Sequence, residues 1–137
     1  MIYVDSNYWI YWLDSRHPEH EHVVKMMRSA IREGIAMSYV TLFEVAHYLK
    51  MLPEEEFVKL TDTVRNLSML TLFDLDGRIA DLAIKMVPEY ASKGLGSRDC
   101  IILATMKSSE VKTIATHDFA FREVKGVEVI DTIPRRI

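Results

Sequence analysis

Short β-branched and aromatic runs alternate with longer stretches whose apolar residues recur every three or four positions. That alternation limits the fold more than any other feature of the chain, because strands separated by helices build a parallel sheet with helices packed on its faces. Ile2-Tyr3-Val4 is the first such run, ending at the turn and cap formers Asp5-Ser6-Asn7. Further strands are expected from Ile35 to Val40, Leu70 to Leu75, Val111 to Ala115 and Val127 to Ile130. Between them the spacing predicts helices over Tyr8 to Leu13, His17 to Arg32, Thr41 to Met51, Glu54 to Asn66, Gly77 to Ser92 and Arg98 to Lys107. Gly34 is placed to stop the second helix and Pro53 to break the third. No internal repeat, linker or low-complexity tract interrupts the pattern, so residues 1–137 are expected to form a single α/β domain with a central parallel sheet of about five strands.

Composition narrows the function classes. Apolar residues make up 49% and charged residues 27%, which excludes a disordered tail, a fibre or a disulfide scaffold. The lone Cys100 cannot form an internal bridge and points to a reducing, cytoplasmic setting. No apolar run approaches the roughly 18 residues that span a bilayer, and no basic, signal-like segment opens the chain, so no membrane role is expected. With 17 basic and 20 acidic side chains the net charge is −3. Bulk positive charge therefore cannot hold a polyanion.

In an open parallel sheet, ligands bind beyond the carboxyl ends of the strands, where strands hand over to helices. Asp5 ends the first strand, Glu44 is expected in the first turn of the helix after the second, and Asp118 follows the strand ending at Ala115. Asp99 opens a helix that must run to the far edge of the sheet before the next parallel strand, which brings Asp99 to the same edge as the others. Each acid has an ordinary structural role open to it. Asp5 and Asp118 are suited to cap helices, Glu44 stands at capping-box spacing from Thr41, and Asp99 suits the positive end of a helix dipole. Gathered together they would be unstable, since two carboxylates about 4 Å apart repel by about 4 kcal/mol at an effective dielectric near 20. Either some of them take up protons or a divalent cation sits among them. An all-oxygen donor set suits Mg²⁺ or Mn²⁺ better than zinc.

These segments resemble the PIN-domain ribonucleases, in particular the VapC-type toxins of VapBC toxin–antitoxin modules, and the resemblance spans essentially the whole chain. Ile2-Tyr3-Val4-Asp5-Ser6-Asn7 is similar to the family's opening strand and first acid, and Thr41-Leu42-Phe43-Glu44-Val45 to its second. Ser97-Arg98-Asp99-Cys100-Ile101-Ile102-Leu103-Ala104 is similar to the third, with Cys100 where a small Ala is usual, and Thr116-His117-Asp118-Phe119-Ala120-Phe121 resembles the closing T-x-D-x-x-F segment. The resemblance implies a PIN-like three-layer sandwich and a Mg²⁺- or Mn²⁺-dependent endoribonuclease that hydrolyses single-stranded or looped RNA with metal-activated water. By carry-over, Asp5, Glu44, Asp99 and Asp118 would hold the metal and its water, while Asn7 and Thr116 would orient ligands or phosphate. It also implies a homodimer neutralised by a small antitoxin laid across the acidic cleft.

Two other functions remain open: a catalytically degenerate PIN-fold module that binds RNA or protein, and a haloacid-dehalogenase-type phosphatase using Asp74 and Asp76. The second rests on Asp74-Leu75-Asp76-Gly77 after an apolar run, but Arg78 stands where that motif has threonine, and Asp76 is suited to cap the next helix. His17, His20 and His22 flank Pro18 at a solvated helix start rather than forming a metal cluster, and His47 lies one helical turn beyond Glu44. The aromatic run Tyr8 to Trp12 fits a core, or alternatively a dimer or antitoxin surface. Arg98 and Arg122 are the candidate RNA-contacting residues, and Pro134-Arg135-Arg136 reads as a loose tail.

Overall fold

The structure, a computed structural model, describes residues 1–136. Five strands, β1 (Ile2–Val4), β2 (Ile35–Ser38), β3 (Leu70–Phe73), β4 (Thr113–Ala115) and β5 (Glu128–Ile130), form one all-parallel sheet in the order β3-β2-β1-β4-β5. Six helices connect them: α1 (Ser6–Leu13), α2 (His20–Glu33), α3 (Tyr39–Leu49), α4 (Glu54–Arg65), α5 (Gly77–Ala91) and α6 (Ser97–Ser108). A short 3₁₀ turn, Phe119–Glu123, precedes β5. This is the expected α/β sandwich. No helix among the described residues is long and apolar enough to cross a membrane.

Strand periodicity divides the core into two layers. Val4, Ile35, Met37 and Ala115 face one side, where Trp9, Met27, Val45, Leu49 and Val64 of α1 to α4 cover them. Tyr3, Ala36 and Ile114 face the other side, against Ile102, Leu103 and Met106 of α6 and Phe121. Helix α5 lies on the outer flank of α6 through Ile79, Ala83, Cys100 and Ala104. Burial among these groups raises the pKa of the Cys100 thiol, so it behaves as a small apolar side chain. Tyr8 and Trp9 of the aromatic run belong to the core, while Ile10, Tyr11 and Trp12 are half-buried. Gly34 turns α2 into β2 with φ +114°, a conformation that L side chains rarely adopt.

Two local expectations need correction. Helix α2 begins at His20 rather than His17, because His17 and Pro18 form the turn before it: the His20 amide bonds the His17 carbonyl, and the His17 ring accepts from the Glu19 amide at 3.1 Å. Strand β2 ends at Ser38, and α3 starts two residues before Thr41. The Ser38 hydroxyl accepts from the Val40 amide at 3.3 Å as the helix cap. The Thr41 hydroxyl is instead 2.6 Å from the Tyr3 hydroxyl, which also accepts from the Ser38 amide at 3.0 Å. No Thr41–Glu44 capping box forms, and Glu44 lies in the second turn of α3.

Candidate active site

Chain order runs from β1 through β2 to β3 on one side and then returns to β4 on the other side of β1. The crevice outside the carboxyl ends of β1 and β4 is therefore where such a sheet binds ligands. Asp5 leaves β1 there, its amide held by the Ala115 carbonyl at 2.9 Å. It is 1% exposed and caps α1, accepting from the Ser6 amide at 2.7 Å through Oδ1. Its second oxygen, Oδ2, accepts from Thr116 Oγ1 at 2.7 Å. Capping and a place in the crevice are thus simultaneous properties of one carboxylate.

Thr116 is the hub on the β4 side. Its hydroxyl donates to Asp5 and accepts from the Asp118 amide at 3.1 Å and from Asn7 Nδ2 at 3.4 Å, which uses its full hydrogen-bonding capacity. Asn7 Oδ1 in turn accepts from the His117 amide at 3.4 Å. Asn7 and Thr116 therefore fix the Asp5 carboxylate against the end of β4.

Three acids from distant segments meet at Arg98, in the first turn of α6. Its Nη2 bonds Asp5 Oδ1 at 2.5 Å and Ser6 Oγ at 3.2 Å, its Nε bonds Glu44 Oε1 at 2.5 Å, and its Nη1 bonds Asp99 Oδ1. Asp99 also reaches back with Oδ2 to the Gly96 amide at 3.0 Å, securing the start of α6. Burial of the guanidinium works to lower its pKa, but the charges of Asp5, Glu44 and Asp99 outweigh this and hold it above the usual arginine range. Arg98 is thus held as a cation among three carboxylates of the pocket.

Asp118 stands apart from this cluster. It is half-buried, connects to Asp5 only through Thr116, and uses Oδ1 to accept from the Ala120 amide at 3.0 Å, capping the 3₁₀ turn. Arg122, on that turn, lies 4.0 Å from Asp131 Oδ2 with its side chain 52% exposed. Asp76 accepts from the Ile79 amide at 3.0 Å as the cap of α5.

The donor set that meets at Arg98 is made of carboxylate and hydroxyl oxygens, the chemistry of a hard divalent cation. Among the described residues no three acid, His or Cys side chains are drawn together tightly enough to hold an ion as they stand, because the planar guanidinium keeps the carboxylates fanned around its edge. Charge and donor type fit a divalent ion, and its entry would require Arg98 to turn aside.

A fifth acid was missed in the sequence. Asp131 follows β5 at the same edge with its side chain only 3% exposed, accepting from the Tyr8 hydroxyl at 2.8 Å, His117 Nδ1 at 2.8 Å and the Ile133 amide at 3.0 Å. Its position after Val129-Ile130 repeats the handover signal of the other acids. The central place of Arg98 was also missed, although an arginine next to one acid of a crowded set was the available signal.

The family model for the PIN domain matches residues 2–127. Comparison with curated protein sequences gives no match. Among solved structures, the chain is similar to VapC20 of Mycobacterium tuberculosis, described as a toxin cleaving the sarcin–ricin loop, with a TM-score of 0.74, 13% identity and 93% and 98% of the two chains covered. It is also similar to a chain of Rickettsia felis VapBC2 bound to a promoter DNA fragment (TM-score 0.72, 19% identity, 96% and 98% covered). A chain of FitAcB from Neisseria gonorrhoeae gives a TM-score of 0.71 at 23% identity, with 96% and 98% covered.

Proposed function

Since this chain belongs to the PIN domain family, we propose that it is an endoribonuclease that hydrolyses RNA phosphodiesters with Mg²⁺ or Mn²⁺, and the toxin of a toxin–antitoxin pair acting in the cytoplasm. The observation that carries this reading is the meeting of Asp5, Glu44 and Asp99 around one positive charge at the β1/β4 crevice. The similarity to a toxin that cleaves a looped RNA supports the choice of substrate. The FitAcB and VapBC2 neighbours support an antitoxin partner. An exposed apolar side chain beside the acid Glu44, Phe43 on α3, is a surface such a partner would cover, and a homodimer is part of the same proposal.

In this reading Asp5, Glu44 and Asp99 hold the metal, and Asp118, one hydroxyl bridge away, completes the acidic set. A divalent ion bound there would supply an activated water at neutral pH and neutralise charge on the phosphate. Asn7 and Thr116 keep the Asp5 carboxylate aimed at the crevice while the other groups rearrange. Arg98, once turned out, is next to the position of the phosphate, and Arg122 meets the strand further along.

A second reading is favoured by one observation. Arg98 already balances the three acids, so a module that binds RNA or protein without metal would be stable as it stands. Incubation of single-stranded and hairpin RNA with the chain, with Mg²⁺ or Mn²⁺ and then with EDTA, separates the two. We expect metal-dependent cleavage that is abolished by Asp5→Asn and unchanged by Asp74→Asn. Binding without cleavage under every metal condition would favour the module.

A further inference from the structure

We infer that Phe119, Arg122 and Arg135 form a stacking and phosphate-binding platform for single-stranded RNA beside the acidic crevice, an inference that rests on the ribonuclease reading and extends it to a substrate subsite. Phe119 follows Asp118 directly and is a large apolar side chain left 37% exposed. Residues three apart in a 3₁₀ turn share a face. Arg122 accordingly places its guanidinium carbon 5.3 Å from the Phe119 ring centroid. Arg135 arrives from the segment after β5 and sits 4.8 Å from the same centroid. The His117 ring centroid is 5.2 Å from that of Phe119, the two rings tilted at 59°.

The arrangement is held from below. Ile133 is buried in the core, and the Thr132 amide donates to the Tyr8 hydroxyl at 2.6 Å, so the chain is anchored two residues before Arg135. Asp131 is the acid beneath this patch, and its single charge is shared between His117 and Arg122. Among the described residues Arg135 pairs with no acid. The patch therefore keeps positive charge in a chain whose net charge is −3 and whose neighbouring crevice is acidic.

Bases splayed out of a single strand stack on aromatic rings and on guanidinium planes alike, while the guanidinium edges remain free for phosphate. A ring flanked by two arginines supplies both contacts within one nucleotide's reach. Its position one residue past Asp118 puts it where a nucleotide flanking the cleaved bond would lie. A duplex offers no unstacked base to this surface, so the platform selects single-stranded RNA.

The test is fluorescence anisotropy of a labelled single-stranded oligoribonucleotide with the full chain in EDTA, so that binding is read without cleavage. Phe119→Ala is expected to weaken binding roughly 5- to 150-fold, the loss typical of one stacked base, and Phe119→Trp to retain it. Arg122→Gln and Arg135→Gln are each expected to lower the slope of log affinity against log salt by about 0.7. The same oligonucleotide annealed to its complement should bind weakly to all variants. Variants that bind like the parent while the parent still cleaves RNA would overturn the platform and leave the ribonuclease reading intact. A fall in melting temperature without change in affinity would reduce the cluster to a clamp on the chain end and would also overturn it. A labelled acidic peptide that loses binding in Phe119→Ala, with RNA binding unaltered, would reassign the patch to a protein partner. A parent chain that neither binds nor cleaves RNA would sink both readings.

Discussion

Replacing Arg98 with glutamine removes the cation shared by three carboxylates and leaves a shorter, neutral amide in its place. The cost is set mainly by Asp5, which is 1% exposed and would keep only the Ser6 amide and the Thr116 hydroxyl as partners. Breaking a buried ion pair by deleting one partner costs about 3–5 kcal/mol, whereas an exposed pair contributes about 0–1 kcal/mol. Arg98 is 28% exposed and Glu44 36%, so screening places the whole change near the lower limit, about 3 kcal/mol. For a chain of this size that is a drop in melting temperature of roughly 10 °C. Thermal melts followed by circular dichroism in EDTA measure it. Adding Mn²⁺ at about a hundred times its dissociation constant should return about 2.7 kcal/mol to the variant, because the ion then takes over the positive charge. Arg98→Lys should recover only part of the loss, since a point charge cannot meet three acids along one planar edge. A glutamine variant that melts within about 2 °C of the parent in EDTA and gains nothing from Mn²⁺ would refute the premise that this pocket demands a cation.

Other outcomes follow from single contacts. Thr116→Val leaves Asp5 Oδ2 and the Asp118 amide without their shared partner, and should cost about 1–3 kcal/mol in chemical denaturation as well as most of the RNA cleavage. Ser38→Ala removes the cap of α3 and should cost about 1 kcal/mol, with the sharper test being the loss of amide protection at Val40. Tyr8 is pushed up to about 12 from the ordinary 10, chiefly by burial. Because its neutral form is favoured in the folded chain, its contribution to stability is intact below pH 10 and is lost as pH rises through about 12. Tyrosinate absorbance during an alkaline titration should show late ionisation, and Tyr8→Phe should remove one tyrosine's share of it, since Tyr3, Tyr11, Tyr48 and Tyr90 are also shifted upward.

Much of the architecture was legible because it depends on local periodicity. Strand β1 was readable from Ile2-Tyr3-Val4, and α5 from the spacing of Ile79, Leu82, Ala83 and Met86. Asp76 was readable as a cap because its partner, the Ile79 amide, is three residues away. The start of α3 was not readable in the same way. Ser38 and Thr41 are both good cap residues, and the choice between them involves the Tyr3 hydroxyl, which lies 38 residues from Thr41 in sequence and engages its hydroxyl.

The order of acids at strand ends belongs to the linear chain, since each follows a recognisable run of strand residues or opens a helix. What those acids do to one another was decided by folding alone. Glu44 and Arg98 are 54 positions apart and Asp5 and Arg98 are 93 apart, yet one guanidinium bonds both. Electrostatic energy depends on distance through space and on exclusion of water, and neither is written in residue order. The sequence alone therefore announced an excess of negative charge at one edge of a sheet, while the tertiary structure determined that an arginine of the same chain balances it.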